Sequence, residues 1–432
     1  MKQLAYRLLQ QFKNLNSLEK GLIIFLMIMQ VYYSYRYALR FGSPLSPPGY
    51  VLTPLVFQVG KYVLVGMFYL VGVFFVLRGN TFKKIFLEFK SNAIWLLTII
   101  FLAYLVISLF KFDIEFTDFG ISQTIKMVFV IPIVFLLPFL LRIKESFNFW
   151  KLFLLFSLAF HASYEILMIL LFFLTKRLPG LTFSYILPRF GGGWDDPNSF
   201  AAFGVLIFTV LVVFNFGKGL LINSLHSILL AVVVILILYG YSITAFLGLV
   251  TACFLLLIFR RLSIVHIVVV GLSSLLFGLV HYFLNLINLL VEAKLASSSV
   301  HLASEPVNAQ KTSAISILKP VFEVSSKPTF NENFYLQMYQ NYDLIALGLF
   351  VFILLLTIMM AYRGWRHSKK SFEKKFFLVS LVYLVSFSFM NLGIPFFQIF
   401  PLNLFVWVMM GGVWLMYQRN KIETFKFFAL RF

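Results

Sequence analysis

The sequence predicts an all-α, polytopic membrane protein of about twelve transmembrane helices with one long loop on the outer face. Composition points there first. Of 432 residues, 61% are hydrophobic and 12% charged, and mean hydropathy is +0.93; soluble domains are about 25% charged. Patterning points the same way. Apolar stretches of about 20 residues recur, each long enough to cross a hydrocarbon core of roughly 30 Å. The alternating strands of about ten residues that a membrane β-barrel needs are absent. The third observation is the distribution of basic residues, taken up after the spans.

In chain order the expected spans are 20–38, 51–77, 93–110, 124–141, 151–174 and 199–216, then 226–241, 243–259, 264–288, 338–361, 376–392 and 401–417. The N-terminal segment MKQLAYRLLQQFKNLNSLEK is polar, and no small-residue cleavage site follows the first apolar run. It reads as a retained cytoplasmic tail. The sixth span opens after Asp196-Pro197, a capping carboxylate followed by proline at the first helical position. Only a tight connection near Tyr241 separates the seventh span from the eighth. Between the ninth and tenth lies the polar stretch 291–337, too hydrophilic to cross a bilayer and the one connection with room for soluble-phase function. The whole chain, 1–432, reads as a single transmembrane domain containing that extracytoplasmic loop.

Formal net charge is +20. With an even number of spans, 24 of the 36 Lys and Arg residues fall on one side, which places both termini in the cytoplasm. The basic excess thus reports topology and contact with anionic membrane lipid, and nucleic acid is not an expected partner. Cys253 is the only cysteine, so no disulfide framework is available. No Gly-rich nucleotide-binding turn is present. No metal site and no cofactor are expected, and the absence of a visible internal repeat weighs slightly against a transporter.

Three groups of residues could carry chemistry. Before the sixth span stands PRFGGGWDDPNSFA, residues 188–201. Its glycines permit close approach of a ligand, and the guanidinium of Arg189 suits bidentate phosphate contact; snorkelling to the interface is the bland alternative. At the end of the long loop, Asn331-Glu332-Asn333-Phe334-Tyr335-Leu336 leads into the tenth span. Cap residues at a helix start explain it as well as a general base does. A partly desolvated Glu332 carboxylate would nevertheless have its pKa raised towards a useful value. Within the fifth span, His161 and Glu165 lie four apart on one helix face. Intramembrane ionisable groups of this kind, Lys61 of the second span included, usually face the bundle interior. Lys176 and Arg177, at the end of the fifth span, could join Arg189 in a basic mouth.

Three stretches together resemble the O-antigen polymerase/ligase superfamily of membrane glycosyltransferases, which includes the Wzy-type polysaccharide polymerases. They are Arg189 to Ala201, Ser242 to Leu249 (SITAFLGL), and Glu332 to Phe350 (ENFYLQMYQNYDLIALGLF). The departures are specific. Ile243 follows Ser242 where the family often has Arg, Glu332 stands where ligases carry His, and two glycines common after the motif are here Asp343 and Ala346. The glutamate favours a polymerase over a ligase.

The resemblance implies a bundle like that of the GT-C glycosyltransferases, on the outer face of a bacterial cytoplasmic (inner) membrane. It implies transfer of a growing glycan from undecaprenyl pyrophosphate to the next undecaprenyl-pyrophosphate-linked oligosaccharide, building a capsular, O-antigen or exopolysaccharide chain. In that scheme Glu332 is the base and Arg189 faces the departing pyrophosphate. Lys176, Arg177, Asn198, Asn333 and Tyr335 are substrate-binding, no metal is needed, and a chain-length regulator and a flippase are the candidate protein partners. A ligase-type transferase and, from another class, a flippase or transporter of lipid-linked oligosaccharide are the alternatives.

Overall fold

The computed structural model describes residues 9–31, 55–78, 93–109, 119–141, 149–150, 152–157, 181–184, 187–190, 197–214, 220–283, 333–399 and 402–419. The described fold is all-α apart from one short hairpin. Its helices are α1 (Ser17–Val31), α2 (Leu55–Arg78), α3 (Ala93–Leu109), α4 (Phe119–Val130), α5 (Ile133–Leu140), α6 (Pro197–Val213), α7 (Leu220–Tyr239), α8 (Ile243–Ile258), α9 (Ile264–Phe283), α10 (Phe334–His367), α11 (Ser371–Met390) and α12 (Leu402–Arg419). A 3₁₀ turn, Phe396–Gln398, precedes α12. Helices fall where the apolar runs do, and the fifth run is described only over 152–157, which is helical.

Local chemistry fixes several helix ends. Asn16 and Glu19 form a reciprocal capping box at α1: the Glu19 N–H donates to Asn16 Oδ1 at 2.7 Å, and the Asn16 N–H donates to Glu19 Oε2 at 3.0 Å. The run read as one fourth span is two helices, α4 and α5, because Pro132 supplies no N–H. Tyr69 of α2 takes up the neighbourhood of that break by donating to the Phe129 carbonyl at 2.6 Å. Arg419, in the last turn of α12, donates to the carbonyls of Pro138 (3.0 Å) and Leu141 (2.9 Å) at the C-terminus of α5, where a cation complements the helix dipole.

Packing sorts the helices into an inner and an outer set. In α12 every residue from Leu402 to Tyr417 is buried, and α6 is buried from Ser199 through Val213. α11 packs on α6, α8 and α10, and α10 also packs on α3 and α12. Trp414 of α12 ties three helices together, donating to Thr357 of α10 at 2.7 Å and meeting Trp95 of α3 edge-on. Gly412 is needed at the α12 surface because a Cβ there would collide with the Trp150 indole.

Outward, the helices stay apolar: Leu70, Phe254, Ile264, Leu276 and Leu355 are all more than half exposed. Among the described residues one helix, α10, is long and apolar enough to cross a membrane. Seven further apolar helical segments run 10–17 residues.

On the side of the bundle formed by α7 and α9, His226 and His266 meet with their Nε2 atoms 3.4 Å apart. The Ser263 N–H donates to His266 Nδ1, so His266 carries its proton on Nε2 and donates to His226. That bond closes the pair. Among the described residues no group of three or more His, Cys, Asp or Glu could hold a metal ion.

Candidate functional site

α10 is two helices folded back on each other. Asn333 caps the first arm, its Oδ1 accepting from the N–H groups of Tyr335 (3.0 Å) and Leu336 (3.1 Å). Residues 334–342 run as far as Asp343, whose backbone stands at φ 81°, ψ −179°. The second arm, 344–367, then departs in a new direction. Phe334 and Phe350 prove the reversal, with ring centroids 4.9 Å apart. In a straight helix, 16 residues at about 1.5 Å each would separate them by roughly 24 Å. The sequence reading placed 334–337 in the long loop and 338–342 in the tenth span. The Asn333 cap and the turn at Asp343 instead make all nine residues a short helix lying back along the second arm.

A φ of 81° suits glycine, and an aspartate held there costs on the order of 1–3 kcal/mol. The carboxylate supplies the compensation. Its Oδ1 accepts from the N–H groups of Ile345 (2.8 Å) and Ala346 (3.3 Å), capping the second arm. Its Oδ2 accepts from the hydroxyl of Tyr104 on α3. A negative charge at that helix start is also favoured by the dipole. Asp343 is therefore both hinge and cap.

The folded-back arm docks on the end of α11 and on the 3₁₀ turn before α12. The Phe334 N–H donates to the Asn391 carbonyl at 2.9 Å, and Asn391 Oδ1 accepts from the Phe397 N–H at 3.1 Å. Phe397 is the hub of an aromatic cluster, with ring centroids 5.2 Å from Phe334, 4.7 Å from Phe350 and 4.8 Å from Phe387. Tyr335 donates to the Ser388 carbonyl at 2.9 Å. α8 closes this end: Ser242 caps it by accepting from the Ala245 N–H, and Gly248 leaves room for the Met390 side chain, which a Cβ would strike.

Amid this apolar packing sit side chains that nothing satisfies. Gln337, Gln398 and Asn403 are each 0% exposed, and neither polar atom of any of the three has a hydrogen-bond partner. The indole N–H of Trp407 and the hydroxyl of Tyr383 are in the same condition. Leaving such groups buried and unpaired costs roughly 1–3 kcal/mol each, which is the mark of a functional site or of a site filled by something else.

The residues singled out from sequence distribute unevenly. Asn333 and Tyr335 stand on the folded-back arm, with the hydrogen bonds given above. Asn198 lies half-buried in the first turn of α6. Arg189 is on the second strand of a two-stranded antiparallel hairpin, β1 (Leu181–Ser184) and β2 (Leu187–Phe190), in register with Thr182. The hairpin packs against α7. Lys61 lies on α2, and its side chain is outside the described residues, as is that of Arg189. His161, Glu165, Lys176, Arg177 and Glu332 also lie outside them.

Sequence reasoning missed Tyr104, Asp343, Gln337, Gln398 and Asn403. A signal existed for two of them: Gln398 and Asn403 interrupt a stretch, 396–408, that is otherwise apolar. The hairpin was missed because its four-residue strands fall inside a Gly- and Pro-bearing stretch that reads as loop.

Chemically, this end of the bundle offers uncharged donors and acceptors around an aromatic cluster, with the Asp343 carboxylate held at a helix start. It is suited to recognising a polar, neutral group. No protein-family model, no curated protein and no solved structure matches the chain.

Proposed function

We propose that the chain is a polytopic glycosyltransferase of the cytoplasmic membrane that polymerises undecaprenyl-pyrophosphate-linked oligosaccharide repeat units at the outer face. The outward-facing leucine, isoleucine and phenylalanine side chains support a lipid surroundings for the bundle. One observation carries the reading furthest. The segment that follows the long polar loop starts at the Asn333 cap and turns back at Asp343, so its first turn packs against the end of α11 and the 3₁₀ turn rather than standing at the far end of a straight span.

In the proposed reaction, Glu332 takes the proton from a hydroxyl of the acceptor repeat unit. That oxygen attacks the anomeric carbon of the growing chain, the bond from this carbon to the pyrophosphate oxygen breaks, and the electron pair leaves on undecaprenyl pyrophosphate. Arg189 meets the charge on that leaving group, assisted by Lys176 and Arg177. Positive groups aimed at developing charge are the largest source of rate in such transfers, and their presence removes the need for a metal.

Glu332→Gln is expected to abolish polymer and accumulate single repeat units while the protein still inserts; loss of a general base is worth about 10²–10⁴ in rate. Arg189→Ala is expected to depress use of the donor by about 10²-fold or more. Lipid-linked glycan from cells carrying each variant, resolved on a gel by length, is the readout. Chains of wild-type length from Glu332→Gln would remove the base from the scheme.

A further inference from the structure

The buried amides are a site the reaction scheme does not use. Three elements bring them together. Gln337 lies one turn beyond Phe334 on the folded-back arm, on the face that Phe334 turns towards Phe350 and Phe397. Gln398 follows Phe397, the hub of the cluster, in the 3₁₀ turn. Asn403 opens α12, one turn before Trp407, whose ring lies 6.5 Å from that of Phe350. All three amides thus belong to residues next to, or one turn from, members of one aromatic cluster, at the end of the bundle where the arm docks. They do not bond each other, and no other group bonds them.

We propose that Gln337, Gln398 and Asn403, together with the indole N–H of Trp407, line a binding site for a neutral, hydroxyl-bearing ring, that is, one sugar unit of an uncharged glycan. The lining chemistry selects this class. A primary amide presents a donor and an acceptor side by side, and a hydroxyl needs both. Charged lining would be required to repay the desolvation of an anionic group, and these lining groups carry none. Phe397, Phe350 and Phe334, packed edge-to-face and tilted, supply apolar edges and faces against which the C–H groups of a pyranose pack. The arm that carries Gln337 is one wall, joined to the rest by the Asp343 hinge, so movement about that residue admits the ligand. This inference deepens the polymerase reading by naming what the site takes, and it rests on that reading for the source of the sugar.

The test is a binding measurement, which turnover does not enter. The full chain in lipid nanodiscs is titrated calorimetrically with chitotriose and maltotriose, two neutral trisaccharides, and with trigalacturonate as an acidic one. At least one neutral trisaccharide is expected to bind. Gln337→Met and Asn403→Leu are each expected to weaken it about tenfold, the worth of one or two uncharged hydrogen bonds. The ligand-free variants are expected to unfold at or above the wild-type temperature, because replacing an unpaired buried amide by an apolar group of similar size leaves nothing newly unsatisfied.

Several results overturn the proposal: no binding of either neutral sugar, preference for the acidic one, wild-type affinity in both variants, or stability falling together with affinity. Failure of the polymerase reading is recognised separately, by absent chain lengthening with the sugar affinities intact.

Discussion

Asp343 shows how much a single side chain decides. Its backbone conformation belongs to glycine, yet its carboxylate caps the second arm of α10 and holds Tyr104 of α3. Backbone and side chain are separable by substitution. Asp343→Gly relieves the φ strain but removes the cap and the tyrosine bond, so the two effects of about 1–3 kcal/mol each oppose and the net change is small. Asp343→Ala keeps the strain and loses both bonds, and is expected to lower stability by about 2–4 kcal/mol. Thermal unfolding of the two variants side by side checks this, and an alanine variant as stable as the glycine one contradicts it. The sequence held half of this finding, since the sequence reading expects glycine where Asp343 stands. That an aspartate keeps the glycine conformation depends on a partner, Tyr104, 239 positions away, and no local pattern reports it.

At the level of elements, the apolar runs located the helices because length and hydropathy are properties of the local sequence. α4 and α5 separate at Pro132, a local signal that the reading of one span over 124–141 passed over. The reversal of α10 carries no local signal of that kind. Residues 338–342 are helical on either account, and hydropathy is blind to direction, so the reading carried the span straight through Asp343. Cysteines at Phe334 and Phe350, in a chain whose native Cys253 is replaced by serine, test the reversal. A short bismaleimide is expected to join them, as the 4.9 Å ring separation requires. A straight helix would hold them about 24 Å apart and out of reach. Efficient closure of that pair with no closure between Phe334 and Thr357 is the expected pattern, since Thr357 sits two turns deeper on the second arm. The candidate site was less legible than the helices for a related reason: Gln337, Gln398 and Asn403 come from three elements, and only the reversed arm brings Gln337 to the aromatic cluster beside the other two.

For the whole molecule, the arrangement is a buried core of α6, α11 and α12 beside helices, α10 among them, that turn apolar faces outward. At one end the core becomes polar and sealed, and there the segment following the long loop docks. A transporter of lipid-linked sugar and a polymerase would use such an end differently, one for passage and the other for bond formation on a single face. The most direct measurement is therefore made on the purified chain in liposomes loaded on one face with undecaprenyl-pyrophosphate-linked repeat units of uniform length. The account predicts a ladder of longer lipid-linked glycans on that face, and single units unchanged with Glu332→Gln. Passage of the units to the opposite face with their length unaltered would contradict it.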